Sequence, residues 1–162
     1  AKDTLTKTGK DELTFRFTAN LGEPIRPLLK VASGGELSRV ALAIKTVLLN
    51  ASGVPTMVFD EIDTGVGGVT AQKMAEKIAV IAKVGQVLCI THLPQIAYFA
   101  DRHLLIRKES TGGRTSTGLT VLDEEGRIQE LMRMTVGDNV SEVAYANAKE
   151  LLAAAAKNKQ AR

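Results

Sequence analysis

Two short apolar runs stop abruptly at polar chemistry: Met57-Val58-Phe59 at Asp60-Glu61, and Val87-Leu88-Cys89-Ile90 at Thr91-His92. Between them Ala71, Met74, Ala75, Ile78, Ile81 and Ala82 recur at helical spacing, and Gly85 closes the stretch. Strand, helix and strand within about 35 residues predict a βαβ crossover with parallel neighbouring strands. Residues 56–60 alternate too little to be one-sided, so this strand is expected to be central and covered on both faces, with 86–91 as its buried neighbour.

The flanking chain fits around that unit. Leu13, Phe15 and Phe17 alternate with Thr14, Arg16 and Thr18, which predicts a half-buried antiparallel strand near a sheet edge. Residues 20–27 read as loop, punctuated by Gly22, Pro24 and Pro27. Leu37, Val40, Ala41, Ile44, Val47 and Leu48 predict an amphipathic helix, closed by residues 50–55. Further on, residues 94–100 suggest a short helix, and 103–108 and 115–122 two strands joined at Thr111-Gly112-Gly113. Asn139-Val140-Ser141-Glu142 resembles a capping box that opens a last helix, with Val143, Ala144, Asn147, Ala148, Leu151 and Leu152 along one side.

Composition narrows the function. The 162 residues are 44% hydrophobic and 24% charged, the profile of one globular domain. Trp is absent and aromatics make up 4%, which speaks against a base-stacking platform. A net charge of +3 permits contact with nucleic acid without arguing for it. The basic groupings Arg102, His103, Arg107, Lys108 and Lys157, Lys159, Arg162 read as solvated faces, with His103 on the surface. Cys89 is the single cysteine, so no internal disulfide can form; it reads as an inert core thiol in a reducing cytoplasm. No window approaches the ~18 apolar residues of a membrane span, so no membrane partner is expected. The chain opens on Ala1 with a polar stretch, which suggests a segment of a longer protein.

Four groups carry possible chemistry. At a strand's C-terminal end the Asp60 and Glu61 carboxylates can reach the crevice where open α/β sheets bind ligands. One acid suits a hydrated Mg²⁺, the other an attacking water; two solvated acids would look the same. Ser33-Gly34-Gly35-Glu36 is an S-x-x-E capping box, which needs no ligand. Its glycines also leave bare backbone N–H groups at the positive end of a helix, where an anion can approach, and the two roles are compatible. His92 follows a strand expected to neighbour the Asp60 strand. It can serve structure alone, or it can donate to a phosphate or orient a water. Gly65-Val66-Gly67-Gly68 is explained by a strand-to-helix turn and fails the G-x-G-x-x-G pattern at Thr70. No G-x-x-x-x-G-K-[ST] phosphate loop occurs: the only Gly-Lys, Gly9-Lys10, is followed by Asp11.

In order and spacing these pieces resemble the C-terminal lobe of an ABC-type ATPase head. Ser33-Gly34-Gly35-Glu36-Leu37 is similar to the signature motif, residues 56–61 to Walker B with its following glutamate, Thr64 to Gly67 to the D-loop, and His92 to the switch histidine. Within that superfamily the strings KVASGGELSR (30–39), DEIDTGVGG (60–68) and THLPQIA (91–97) closely resemble the RecN family, bacterial relatives of the SMC proteins that act in DNA double-strand break repair. The resemblance covers residues 12–152. Most ABC D-loops end in Asp where this chain has Gly67; a glycine-rich version is what the RecN resemblance implies. The SMC and Rad50 heads are the nearer alternative, and a non-enzymatic α/β binding module is the more distant one.

The resemblance implies an α/β fold of the P-loop NTPase, ABC/SMC-head type: a mostly parallel sheet flanked by helices, with an antiparallel β segment. Residues 12–162 would form the C-terminal lobe and residues 1–11 the stub of a returning coiled coil. An N-terminal Walker A lobe of the same protein would hold ATP, and Asp60 would bind Mg²⁺ through water. Glu61 would activate the attacking water and His92 steady the γ-phosphate. Ser33, Gly34, Gly35 and Glu36 would act in trans, in a homodimer of ATP-sandwiched heads, with Thr64, Gly65 and Gly67 in the D-loop region and DNA as the partner. The lobe alone would be inactive.

Overall fold

A computed structural model describes residues 5, 7, 9–11, 13–18, 22–48, 53–111, 114–139 and 141–160. In chain order these form β1 (Arg16–Phe17), β2 (Arg26–Pro27), α1 (Leu28–Val31), α2 (Gly34–Val47), β3 (Thr56–Phe59), α3 (Gly68–Ile81), β4 (Gln86–Cys89), α4 (Pro94–Ala97), β5 (Leu104–Thr111), β6 (Arg114–Val121), α5 (Glu124–Val136) and α6 (Glu142–Gln160). Most of residues 1–11, residues 49–52, where the expected closure after the helix begins, and Gly112 and Gly113 of the expected strand junction lie outside the described residues.

The βαβ unit forms as its pattern predicts. β3 and β4 pair in parallel, with Thr56 opposite Gln86 and Phe59 opposite Cys89, and α3 runs between them. Because side chains alternate across a strand, Met57, Phe59, Val87 and Cys89 share the face that meets the core. There they join Met74, Ala75, Ile78 and Ile81 of α3, then Ile96 and Ala97 of α4. Ile128, Leu131 and Met132 of α5 and Ala148 and Ala155 of α6 complete the cluster. Such a core, rather than propensity, accounts for most helical stability.

The other face of the pair differs from expectation. Val58 is 63% exposed, and Leu88 and Ile90 are exposed beside it, so the described residues cover one side of the strands instead of two. Likewise α2 buries Leu42 and Gly35, while Val47, on the predicted apolar stripe, is 83% exposed, with Ile44 and Leu48 also open.

Other differences are local. Strand structure near residue 13 is limited to Arg16 and Phe17, with Leu13 and Phe15 exposed. The expected loop at 20–27 contains β2, antiparallel to β1, and leads into α1. β5 and β6 form an antiparallel ribbon, Leu104 opposite Val121 through Thr111 opposite Arg114. Ser141 rather than Asn139 caps α6, its hydroxyl accepting from the Ala144 N–H at 3.1 Å; Ala148 is buried as its pattern predicts and Ala155 is buried as well, while Val143 and Leu151 are exposed.

α5 carries no clear sequence signal yet supplies the centre of the core. Asp123 caps it by accepting from the Gly126 N–H at 2.8 Å. Arg127 donates to the carbonyls of Ala97 at 3.3 Å and Tyr98 at 3.0 Å, tying α5 to the end of α4. Lys159 of α6 reaches the Phe99 carbonyl at 3.2 Å and pairs with Asp101, closing the same corner. Leu131 is fully buried, so Leu131→Ala is expected to cost roughly 2–5 kcal/mol. A urea midpoint that falls at unchanged slope checks this; an unshifted midpoint refutes it.

Candidate functional site

The site is assembled where β3 and β4 end. Parallel pairing brings both C-terminal ends to one side, and the Ile90 N–H donating to the Phe59 carbonyl at 2.9 Å carries the pairing one residue further. Asp60-Glu61 and Thr91-His92 therefore leave adjacent strands together. Beyond β3 the chain turns tightly: the Thr64 N–H donates to the Glu61 carbonyl at 3.0 Å and the Val66 N–H to the Asp63 carbonyl at 3.2 Å. Gly65 and Gly68 hold φ of 72° and 52°, which side chains resist.

Glu61 holds φ of 56° without being glycine. Left-handed backbone at such a residue costs of order 1–3 kcal/mol and needs surrounding structure to impose it. Here α2 imposes it. Ser38 Oγ donates to the Asp60 carbonyl at 2.9 Å, and Arg39 Nη1 donates to the Thr64 carbonyl at 2.9 Å and the Ile62 carbonyl at 3.2 Å. The turn is thus clasped on three of its carbonyls by two neighbouring residues of one helix. The Asp60 carboxylate accepts from the Glu61 N–H at 2.9 Å.

Ser33-Gly34-Gly35-Glu36 opens α2 as a full capping box. The Ser33 N–H donates to Glu36 Oε2 at 2.7 Å, and the Glu36 N–H donates back to Ser33 Oγ at 3.4 Å. The Ser33 backbone and hydroxyl donors hold the Glu36 carboxyl below the usual carboxylate range. The glycines do further work. A Cβ on Gly35 would lie 2.8 Å from the Glu61 carbonyl oxygen, and one on Gly34 would lie 2.7 Å from Glu61 Oε2. The predicted phosphate-contacting segment therefore packs on the Glu61 turn of its own chain, and Gly35 also approaches Thr64.

His92 presents 73% of its side chain to solvent, yet its Nδ1 lies 3.0 Å from Asp63 Oδ2. Asp63 is 3% exposed. Burial pushes its carboxyl up, but donors from Thr91 and the His92 backbone, with the His92 charge, hold it below its ordinary value. Burial, then Asp63 and Asp60, push the Cys89 thiol up to about 11, which keeps it protonated at neutral pH. His103 is half-buried rather than on the surface, and burial, then Arg127, lower its pKa.

The structure therefore gathers Gly34, Gly35, Glu61 and Thr64 in one contact and places His92 on the adjacent strand end. Gly65 and Gly67 line the turn into α3, at whose N-cap Gly67 sits. Ser38, Arg39 and Asp63 complete the arrangement, and residue-type patterns alone did not single them out. Ser38 and Arg39 lie just past the capping box on the helix, and Asp63 is a buried acid three residues beyond Asp60; those positions are the available signal. Among the described residues no group of three or more His, Cys, Asp or Glu side chains could hold a metal, and no helix is long and apolar enough to cross a membrane.

Parallel strands ending in acids and histidine, beside a Ser-Gly-Gly-Glu helix start, define an α/β site at one end of a βαβ unit. Along nine-tenths of its length the sequence is RecN-like. It is 49% identical over 146 residues to the DNA repair protein RecN of Halalkalibacterium halodurans, covering 90% of this chain and 26% of that protein. The RecN proteins of Treponema pallidum and Bacillus subtilis are each 49% identical as well, over 94% and 91% of this chain and 26% of theirs. The chain thus spans about a quarter of the length of the curated relatives it matches. No protein-family profile matches it. A solved structure from work on ATP-driven dimerisation and DNA-stimulated activation of SMC ATPases aligns with a TM-score of 0.47 at 23% identity, over 70% of this chain and 68% of that one.

The glycine contacts separate two otherwise similar substitutions. Gly35→Ala meets backbone and is expected to cost roughly 1–3 kcal/mol. Gly34→Ala meets only the mobile end of Glu61 and should stay within about 1 kcal/mol of the parent, helped by helix propensity. Denaturant midpoints of the pair check the order; equal losses would refute the close approach at Gly35.

Proposed function

We propose that this chain is the C-terminal lobe of an SMC-like, ABC-type ATPase head of the RecN kind, working in DNA double-strand break repair. The observation that carries the reading is the in-register β3–β4 pairing, which delivers Asp60-Glu61 and Thr91-His92 to one end of a βαβ unit. The relatives are DNA repair proteins, and the same motif order in this chain supports carrying that role over. On this reading the protein works in the bacterial cytoplasm, on DNA.

The residues divide the work of hydrolysis. A lobe with a phosphate loop, from the same protein, holds the triphosphate. Glu61 takes a proton from the attacking water as its oxygen bonds to the γ-phosphorus, and the β,γ-bridging oxygen leaves with ADP. His92 holds the γ-phosphate by a hydrogen bond. Asp60 suits Mg²⁺, an ion that takes one or two protein carboxylates and fills its shell with phosphate oxygens and water. When bound, Mg²⁺ offsets charge on the phosphate oxygens. Ser33-Gly34-Gly35-Glu36 presents a helix N-terminus to the nucleotide of a second copy, so ATP joins two heads. Thr64, Gly65 and Gly67 lie on the D-loop side of that junction.

Two variants test this in a chain of the relatives' full length. Glu61→Gln should slow turnover by roughly 10²–10⁴-fold while nucleotide still binds; turnover near the parent rate would remove Glu61 from its role. Ser33→Arg should abolish ATP-dependent dimerisation in light scattering, with the fold retained apart from a capping loss of about 0.5–2 kcal/mol. Dimers that still form with ATP would show the helix start to be structural only.

A further inference from the structure

Asp63 has no part in the mechanism above, yet it is the most constrained acid at the site. It enters from the turn after β3, is 3% exposed, and its Oδ2 accepts two hydrogen bonds from the end of β4 and lies in ion-pair range of the His92 ring. The donors are Thr91 Oγ1 at 2.6 Å and the His92 backbone N–H at 2.9 Å, and His92 Nδ1 stands 3.0 Å from the same oxygen. Thr91 Oγ1 also accepts from the Leu93 N–H at 3.0 Å, which turns its own hydrogen towards Asp63. An ionised carboxylate only accepts, so this close approach favours the proton on Nδ1 over a lone pair facing the carboxylate. The low carboxyl pKa already described agrees with the ionised form.

We propose that Asp63 is the positioning residue for His92: its buried carboxylate keeps the neutral ring's proton on Nδ1, so that a second proton, taken at Nε2, supplies the N–H that meets the nucleotide. The tie spans both strand ends, so the ring is set by the turn that also carries Asp60 and Glu61. Its bearing on turnover rests on the role given to His92 above; the tautomer does not. A second-sphere carboxylate orienting a functional imidazole is a recurrent device, and removing such a partner typically costs 10–100-fold in activity.

The tautomer is directly measurable. The chain has 2 histidines. At a pH about two units above the ordinary histidine value of ~6.5, long-range ¹H–¹⁵N correlation should place the His92 proton on Nδ1, whereas a solvated ring favours Nε2–H. Asp63→Asn should return the ring to Nε2–H. In a chain of the relatives' full length, Asp63→Asn should lower kcat roughly 10–100-fold at unchanged KM, and cost nothing further in a His92→Ala background. An Nε2–H ring in the parent chain overturns the proposal with no variant made. A turnover loss that persists in full without His92 overturns it too, because it marks a fold defect. Unimpaired turnover in His92→Ala overturns the role of His92 itself, and with it the catalytic half of this proposal.

Discussion

The parallel, in-register pairing of β3 with β4 is the constraint from which the rest follows. Slipping the pairing by one residue would swap the faces of every side chain, sending Phe59 outward and Val58 into the core. It would also offset the two strand ends on which the polar groups sit. The apolar alternation that fills the core and the placement of the carboxylates and histidine are thus one requirement met once. α3 makes the pairing possible, since parallel strands need a crossover and an amphipathic helix covers the strands it joins.

A second constraint acts across the site. The turn after β3 is held in an unfavourable backbone conformation at Glu61, and the restraint comes from α2 through Ser38, Arg39 and the two glycines. The start of α2 and the acidic turn therefore form one mechanical body. On the other side Asp63 joins the turn to the end of β4. Three elements distant in sequence are fixed relative to one another by backbone carbonyls and one buried carboxylate. Such hydrogen-bonded ties hold geometry more firmly than apolar contact does, because their directions are specific.

How much of this the sequence disclosed depended on the kind of signal. The βαβ unit, the capping box at Ser33 and the ribbon at 104–121 were legible because each rests on local periodicity or turn chemistry. α5 was not: Gly126 near its start and a mixed polar face blurred the period, although Leu131 lies at the centre of the core. The exposure of Val47 and Val58 shows the opposite failure, since apolar patterning predicts that a face should be covered without specifying what covers it. At the site, residue type pointed to Asp60, Glu61 and His92, and strand pairing gathered their positions. Asp63 and Arg39 act through contacts that only three dimensions supply.

Cys89 sits on β4 between these constraints. Its thiol is kept protonated by its surroundings and faces the core side of the strand pair. An alkylating reagent would meet a reactive thiolate there only after the strand had separated and the nearby carboxylates had withdrawn. The molecule thus contains its own reporter of local opening: a single thiol whose modification rate times the transient parting of the very strands that hold the site together.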